Sequence, residues 1–199
     1  MIRRVGRNLG LLDTAAPAAS AQLEAEGWAL LTGVLSPAEV AELTAEIDTV
    51  YAATNPDVRY READRPDFRY EMYNRSPAAQ RAIAHTAILA AIEPLLGDDC
   101  HVIANTCWRN PAAPPSEHGP GGPWHCDAGP HVPRPDGVPW DDRIPYPVFV
   151  IGAHLWLRDV TVADGPTAVI PGSHRSGRLP PRDRVNDPHL AYEGRTAVA

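Results

Sequence analysis

Proline is concentrated in the middle of this chain. Of its 22 prolines, 11 lie between Pro111 and Pro147. Because proline lacks a backbone N–H and fixes φ, such density excludes helices and the central strands of a sheet. We therefore expect this stretch to consist of loops, turns and sheet edges, with the regular elements on either side of it.

Capping signals predict helices in the first half of the chain. The segment Ser36-Pro37-Ala38-Glu39 combines an N-cap serine, a proline at the first helical position and a glutamate at the third. Apolar residues then recur at helical spacing, at Val40, Leu43, Ile47 and Val50. Ser76-Pro77 predicts another capped helix that ends at Gly97, and an alanine-rich helix over 15–26 is expected to end at Gly27.

Beyond Gly97 the sequence becomes typical of β structure. Strands are predicted from Cys100 to Trp108, from Val148 to Leu157 and from Thr167 to Ile170. Helices followed by strands favour a single α+β or mainly β domain over 1–199, in which 1–97 form a mostly helical cover and 98–199 the β core.

Composition excludes several classes of function. The net charge of −7, with no basic cluster beyond Arg3, Arg4 and Arg7, argues against nucleic-acid binding. No apolar run approaches the roughly 18 residues of a membrane-spanning helix, and no secretory signal is expected, so we predict a cytoplasmic protein that acts on a small molecule. All 18 cationic side chains are arginine, which excludes lysine Schiff-base chemistry.

Two candidate metal ligands lie inside the proline-rich stretch. In an extended segment, side chains at positions i and i+2 project from the same face, so His125 and Asp127 are predicted to converge while Cys126 faces away. One imidazole and one carboxylate make up two thirds of the triad that binds non-heme Fe(II). A His-x-Asp tripeptide is common, however, and becomes specific only together with a second motif.

The second motif is the run from Asp164 to Gly177, which contains Pro171-Gly172-Ser173-His174. Together with Trp124-His125-Cys126-Asp127, it resembles the phytanoyl-CoA dioxygenase family, and the resemblance covers about Gly27 to Arg178. It implies a double-stranded β-helix, or cupin-like jelly roll, with flanking helices. It also implies that Fe(II), 2-oxoglutarate and O2 serve an oxygenase that hydroxylates a small organic molecule.

The resemblance also implies roles for particular residues. His125 and Asp127 would bind iron, and the presence of Asp127 favours hydroxylation over halogenation, since related halogenases carry a small residue there. Thr106 and Trp108 would line the cosubstrate pocket. His154 would contact the cosubstrate or, equally, be a hydrogen-bonded core imidazole, and the Pro171–His174 segment is better interpreted as a tight turn.

The family also has a distal iron-binding histidine and a carboxylate-binding arginine on its last strands, and neither finds a match before Ala199. We therefore expect a jelly roll that is incomplete at its C-terminus, with impaired activity and exposed strand edges that favour a homodimer. His174 and His189 are weak candidates for a replacement ligand, as are Arg178 and Arg195 for the missing arginine.

Two alternatives remain. The first is a non-catalytic truncated remnant, or small-molecule-binding module, of the same fold. A cupin-like metal isomerase or hydrolase is less favoured, because it requires several histidines on the barrel strands and the sequence has no second closely spaced pair.

Overall fold

The computed structural model describes residues 17–53, 68–109, 123–161 and 164–198. Its regular elements in these ranges are α1 (Ala18–Glu26), α2 (Pro37–Ala53), β1 (Arg69–Tyr70), α3 (Met72–Arg75), α4 (Pro77–Ile83), α5 (Thr86–Leu96), β2 (Thr106–Cys107) and a 3-10 helix (Ser173–Arg175). None of the described helices combines the length and the apolar character that a membrane crossing requires.

The predicted helix starts are confirmed. Ser36 N–H donates to the Glu39 carboxylate at 2.8 Å, and Glu39 N–H donates to the Ser36 hydroxyl at 3.3 Å, so each satisfies a backbone donor of the other. At the start of α4, the Ser76 hydroxyl accepts from Ala79 N–H at 2.9 Å. Side-chain caps with this sequence signature therefore fix where α2 and α4 begin.

The helix predicted between Ser76 and Gly97 is divided into α4 and α5 at Ala84 and His85. The His85 ring nitrogen Nδ1 accepts from Ala87 N–H at 3.2 Å, so His85 caps α5 with its side chain. A cap of this kind starts a new helix, because it satisfies one of the four N–H groups that the first turn leaves without an intrahelical partner. The predicted end is confirmed, since α5 stops at Leu96 and Gly97 follows with φ 110°.

The described residues fall into two compact units. The second unit contains 31–53, 68–89 and 100–109. In it, Glu46 of α2 accepts from the Ser76 hydroxyl at 2.6 Å and from Ala78 N–H at 3.0 Å, which joins α2 to the start of α4. Its core is formed by apolar side chains of the helices, namely Leu43, Val50, Met72, Ala78, Ala82 and Ile88.

The first unit contains 17–30, 90–99, 123–161 and 164–198. Ser20 of α1 is fully buried and donates to the carbonyl oxygen of Ala91 at 2.8 Å. The C-terminal end of α1 contacts the Pro171–His174 turn, because Gly172 N–H donates to the Glu26 carbonyl at 2.8 Å. Gly172 has φ 81° and precedes the 3-10 helix, so the predicted turn is confirmed.

Strand pairing is sparse in the described part of the chain. Strands β1 and β2 pair antiparallel, with Arg69 opposite Cys107 and Tyr70 opposite Thr106. Of the predicted strand from Thr167 to Ile170, Val169 makes an isolated antiparallel bridge to Val198. The prolines act as predicted within 123–147, where no helix or strand forms.

The predicted strand from Val148 to Leu157 is wrong, because the structure assigns it no regular strand. A run of apolar residues forms a strand only when a neighbouring strand accepts its backbone hydrogen bonds, and no described segment pairs with this one. Phe149 and Trp156 of this segment are consequently 62% and 50% exposed. The jelly roll and the single-domain organisation remain predictions.

Candidate metal centre

His125 and Asp127 converge, as the sequence predicts. The His125 Nε2 atom lies 3.3 Å from an Asp127 carboxylate oxygen. The two residues lie where an irregular segment enters a turn, which Gly129 N–H closes by donating to the Cys126 carbonyl at 3.2 Å. The two side chains therefore converge although the segment that carries them is irregular and is not part of a strand.

A backbone contact fixes the orientation of the His125 ring. Nδ1 lies 3.0 Å from the Pro123 carbonyl oxygen, which can only accept a hydrogen bond, so the proton belongs on Nδ1. The other ring nitrogen, Nε2, then faces the Asp127 carboxylate. This is the arrangement in which metal-binding histidines are usually held, with one nitrogen donating to a carbonyl and the other free to coordinate.

Cys126 is separated from this pair. Its side chain is half-buried, whereas His125 and Asp127 are exposed. Burial raises the pKa of the Cys126 thiol, and the neighbouring Asp127 carboxylate raises it further. The thiol therefore stays protonated at neutral pH, and only a thiolate is a good metal ligand.

The geometry of the pair fits one metal ion. Two donor atoms that each lie about 2.1 Å from a shared ion are at most about 4.2 Å apart, and the Nε2 to carboxylate separation of 3.3 Å lies within this limit. The side chains are 75% and 77% exposed, so further ligands have access to the same point. A nitrogen and an anionic oxygen are also the donor types that suit Fe(II).

The described residues offer no third protein ligand beside this pair. Within 17–53, 68–109, 123–161 and 164–198, no three His, Cys, Asp or Glu side chains come together in a way that would hold a metal ion. His174, a candidate from the sequence, is instead packed against the end of α1. Its Nε2 donates to the Glu24 carbonyl at 3.2 Å, and burial lowers its pKa to about 4.

The other candidates for missing family residues have partners of their own. Arg178 pairs with Asp136, and Arg195 donates to Glu26 at 2.7 Å. His189 is exposed, and its backbone N–H donates to the Asp187 carboxylate at 2.8 Å. Both arginines are thus bound to carboxylates of the chain itself.

The predicted cosubstrate residues lie in different units. Thr106 pairs with Tyr70 across β2 and β1, and the Trp108 ring stacks on Phe68 with 5.6 Å between centroids, both in the second unit. His154, in the first unit, is exposed and lies 6.0 Å from the Trp156 ring, so its interpretation as a core imidazole is wrong. A cosubstrate role for these residues remains a prediction.

Sequence reasoning missed the residues that support His125. The indole N–H of Trp124 donates to the Asp187 carbonyl at 2.8 Å, and its backbone N–H donates to the Val185 carbonyl at 2.7 Å. The sequence carries no signal for this contact, because it joins segments 63 residues apart and its acceptors are main-chain carbonyls, which every residue has.

No curated protein and no solved structure gives a significant match to this chain. The family model described as phytanoyl-CoA dioxygenase (PhyH) matches residues 23–197, a span that includes the His125 and Asp127 pair and the Pro171–His174 turn. The chain therefore belongs to the phytanoyl-CoA dioxygenase family, a family of Fe(II)- and 2-oxoglutarate-dependent oxygenases.

Proposed function

We propose that this chain uses Fe(II) and 2-oxoglutarate to hydroxylate a small organic molecule, with His125 and Asp127 as iron ligands. The observation that carries the proposal is the 3.3 Å approach of His125 Nε2 to the Asp127 carboxylate, inside the span that the family model matches.

Each residue has a distinct part in holding the ion. The hydrogen bond from Nδ1 to the Pro123 carbonyl orients the ring so that Nε2 would face the ion, and the Asp127 carboxylate would contribute a negative charge that offsets that of the cation. When bound, iron with 2-oxoglutarate and O2 supplies the oxidising chemistry, in which the cosubstrate is decarboxylated to succinate. The exposure of the pair leaves access for these partners and for the substrate.

Asp127 also supports hydroxylation as the type of reaction. As the resemblance to related halogenases implies, a carboxylate at this position would bind the ion in place of a halide. The roles of Thr106, Trp108 and His154 towards 2-oxoglutarate belong to this proposal and are testable by substitution.

The test combines metal binding with turnover. We expect the folded protein to bind one Fe(II) under anaerobic conditions and to form succinate from 2-oxoglutarate when O2 is admitted. His125→Ala and Asp127→Ala should abolish both, because one remaining donor cannot hold the ion. His101→Ala, which removes another exposed histidine with no part in the proposed site, is the matched control and should retain both.

Soluble, folded wild-type protein that neither binds Fe(II) nor forms succinate would contradict the proposal. Calorimetric titration would then distinguish the alternative, since a small-molecule-binding module takes up an organic ligand in the absence of metal.

A further inference from the structure

Trp124, which directly precedes His125, is bound to one loop by both its backbone and its side chain. Its backbone N–H donates to the Val185 carbonyl at 2.7 Å, and its indole N–H donates to the Asp187 carbonyl at 2.8 Å. The side chain is half-buried. Two bonds from one residue to one loop restrict its rotation more than either bond alone.

The accepting loop is itself braced by Asp187. Arg184 donates to the Asp187 carboxylate from Nη2 at 2.7 Å and from Nε at 3.1 Å, and His189 N–H donates to it at 2.8 Å. Leu190, which is buried, donates its N–H to the Asp187 carbonyl at 3.1 Å. The carbonyl that receives the Trp124 indole therefore has a fixed position.

These bonds reach His125 through a single peptide group. The Trp124 N–H and the Pro123 carbonyl belong to the same planar peptide, in which they point in opposite directions. When the N–H is held by Val185, the carbonyl is aimed at His125 Nδ1, which lies 3.0 Å from it. Rotation of this peptide would remove the acceptor that keeps the proton on Nδ1.

We propose that Trp124 is a positioning residue of the metal centre, which holds the Pro123–Trp124 peptide through the 185–187 loop and thereby sets the ring orientation of His125. Its consequence for metal affinity rests on the proposed function. The orientation of the ring is a property of the protein without metal and is measured separately.

The decisive variant is Trp124→Phe, which keeps an aromatic side chain but removes the indole donor. Trp140→Phe is the matched control, because Trp140 also donates its indole N–H to a main-chain carbonyl, that of Ile144 at 2.6 Å. The probe is Co(II), followed by its visible absorption. We expect Trp124→Phe to weaken Co(II) binding by about tenfold or more, because loss of a residue that orients a metal ligand commonly has an effect of this size. Trp140→Phe should leave Co(II) binding unchanged.

The second measurement uses metal-free protein. Nuclear Overhauser contacts of the His125 ring should show one ring orientation in the wild type and averaged orientations in Trp124→Phe. Unchanged Co(II) affinity in folded Trp124→Phe overturns the inference. Failure of the wild-type protein to bind Co(II) counts against the proposed function, and the ring orientation then decides this inference alone.

If circular dichroism shows that Trp124→Phe does not fold, Arg184→Gln provides the second variant. It keeps Trp124 and releases the Asp187 carboxylate from its arginine. Weaker Co(II) binding and averaged orientations of the His125 ring are expected, and wild-type behaviour in both measurements overturns the inference.

Discussion

Replacement of Gly27 by alanine should destabilise the protein more than a typical substitution at an exposed helix end does. Gly27 follows α1 with φ 80°, in the left-handed region, where an alanine costs about 1–2 kcal/mol. A Cβ at this position would overlap His174 Nδ1 and lie 2.8 Å from Cγ of the same ring. Because that ring is half-buried and bonded to Glu24, it has little room to move, which adds about 1–3 kcal/mol of overpacking.

The expected loss is thus about 2–5 kcal/mol in the free energy of unfolding, measured by urea denaturation followed by circular dichroism. Gly137→Ala is the matched control, since Gly137 has φ 75° but nothing within 4 Å of an added Cβ, and only the backbone term applies. The double variant Gly27→Ala/His174→Ala should lose less than the sum of its single changes, because His174→Ala removes the obstructing ring. Equal losses for Gly27→Ala and Gly137→Ala would refute the steric argument.

Two further predictions concern buried polar side chains. Ser76→Ala removes the cap of α4 and the donor to Glu46, and should lower the free energy of unfolding, measured in urea, by about 1–2 kcal/mol. Ser36→Ala, at the exposed cap of α2, should lower it less. Equal effects of the two substitutions would contradict this prediction. Burial lowers the pKa of His174 from 6.5 to about 4, so the unfolded chain binds a proton that the folded chain does not between these values. The stabilising contribution of the neutral His174 ring is therefore complete above pH 6.5 and is lost as the pH falls towards 4. Between pH 7 and pH 5, the free energy of unfolding should fall by about 2 kcal/mol more in the wild type than in His174→Gln. Parallel pH profiles of the two proteins would contradict this prediction.

The features that could be predicted from sequence are those whose cause lies within a few residues. The Ser36 and Glu39 pair, the Ser76 cap and the glycine after α1 each act on the nearest helical turn, and each acts as predicted. His85 shows the limit of this reasoning. Its imidazole acts as the cap that starts α5, a role more typical of Ser, Thr, Asp and Asn, so a pattern search favours one uninterrupted helix.

The candidate strand from Val148 to Leu157 failed for a different reason. A helix satisfies its hydrogen bonds within its own sequence, but a strand depends on a second segment whose position no local pattern specifies. The same dependence explains His174. Its motif correctly indicates a turn, yet its burial depends on Glu24, 150 residues earlier, and on the absence of a side chain at Gly27.

The candidate metal centre depends both on local spacing in the sequence and on contacts with distant segments. His125 and Asp127 are two residues apart, so their convergence is a local property and was predictable from spacing alone, even though the predicted strand is absent. The support for His125 passes through Trp124 to carbonyls 61 and 63 residues away. Candidate ligands can thus be proposed from a short motif, whereas the rigidity with which they are held depends on distant contacts. Substitutions in the 184–190 loop should therefore change metal affinity while leaving both ligands in place.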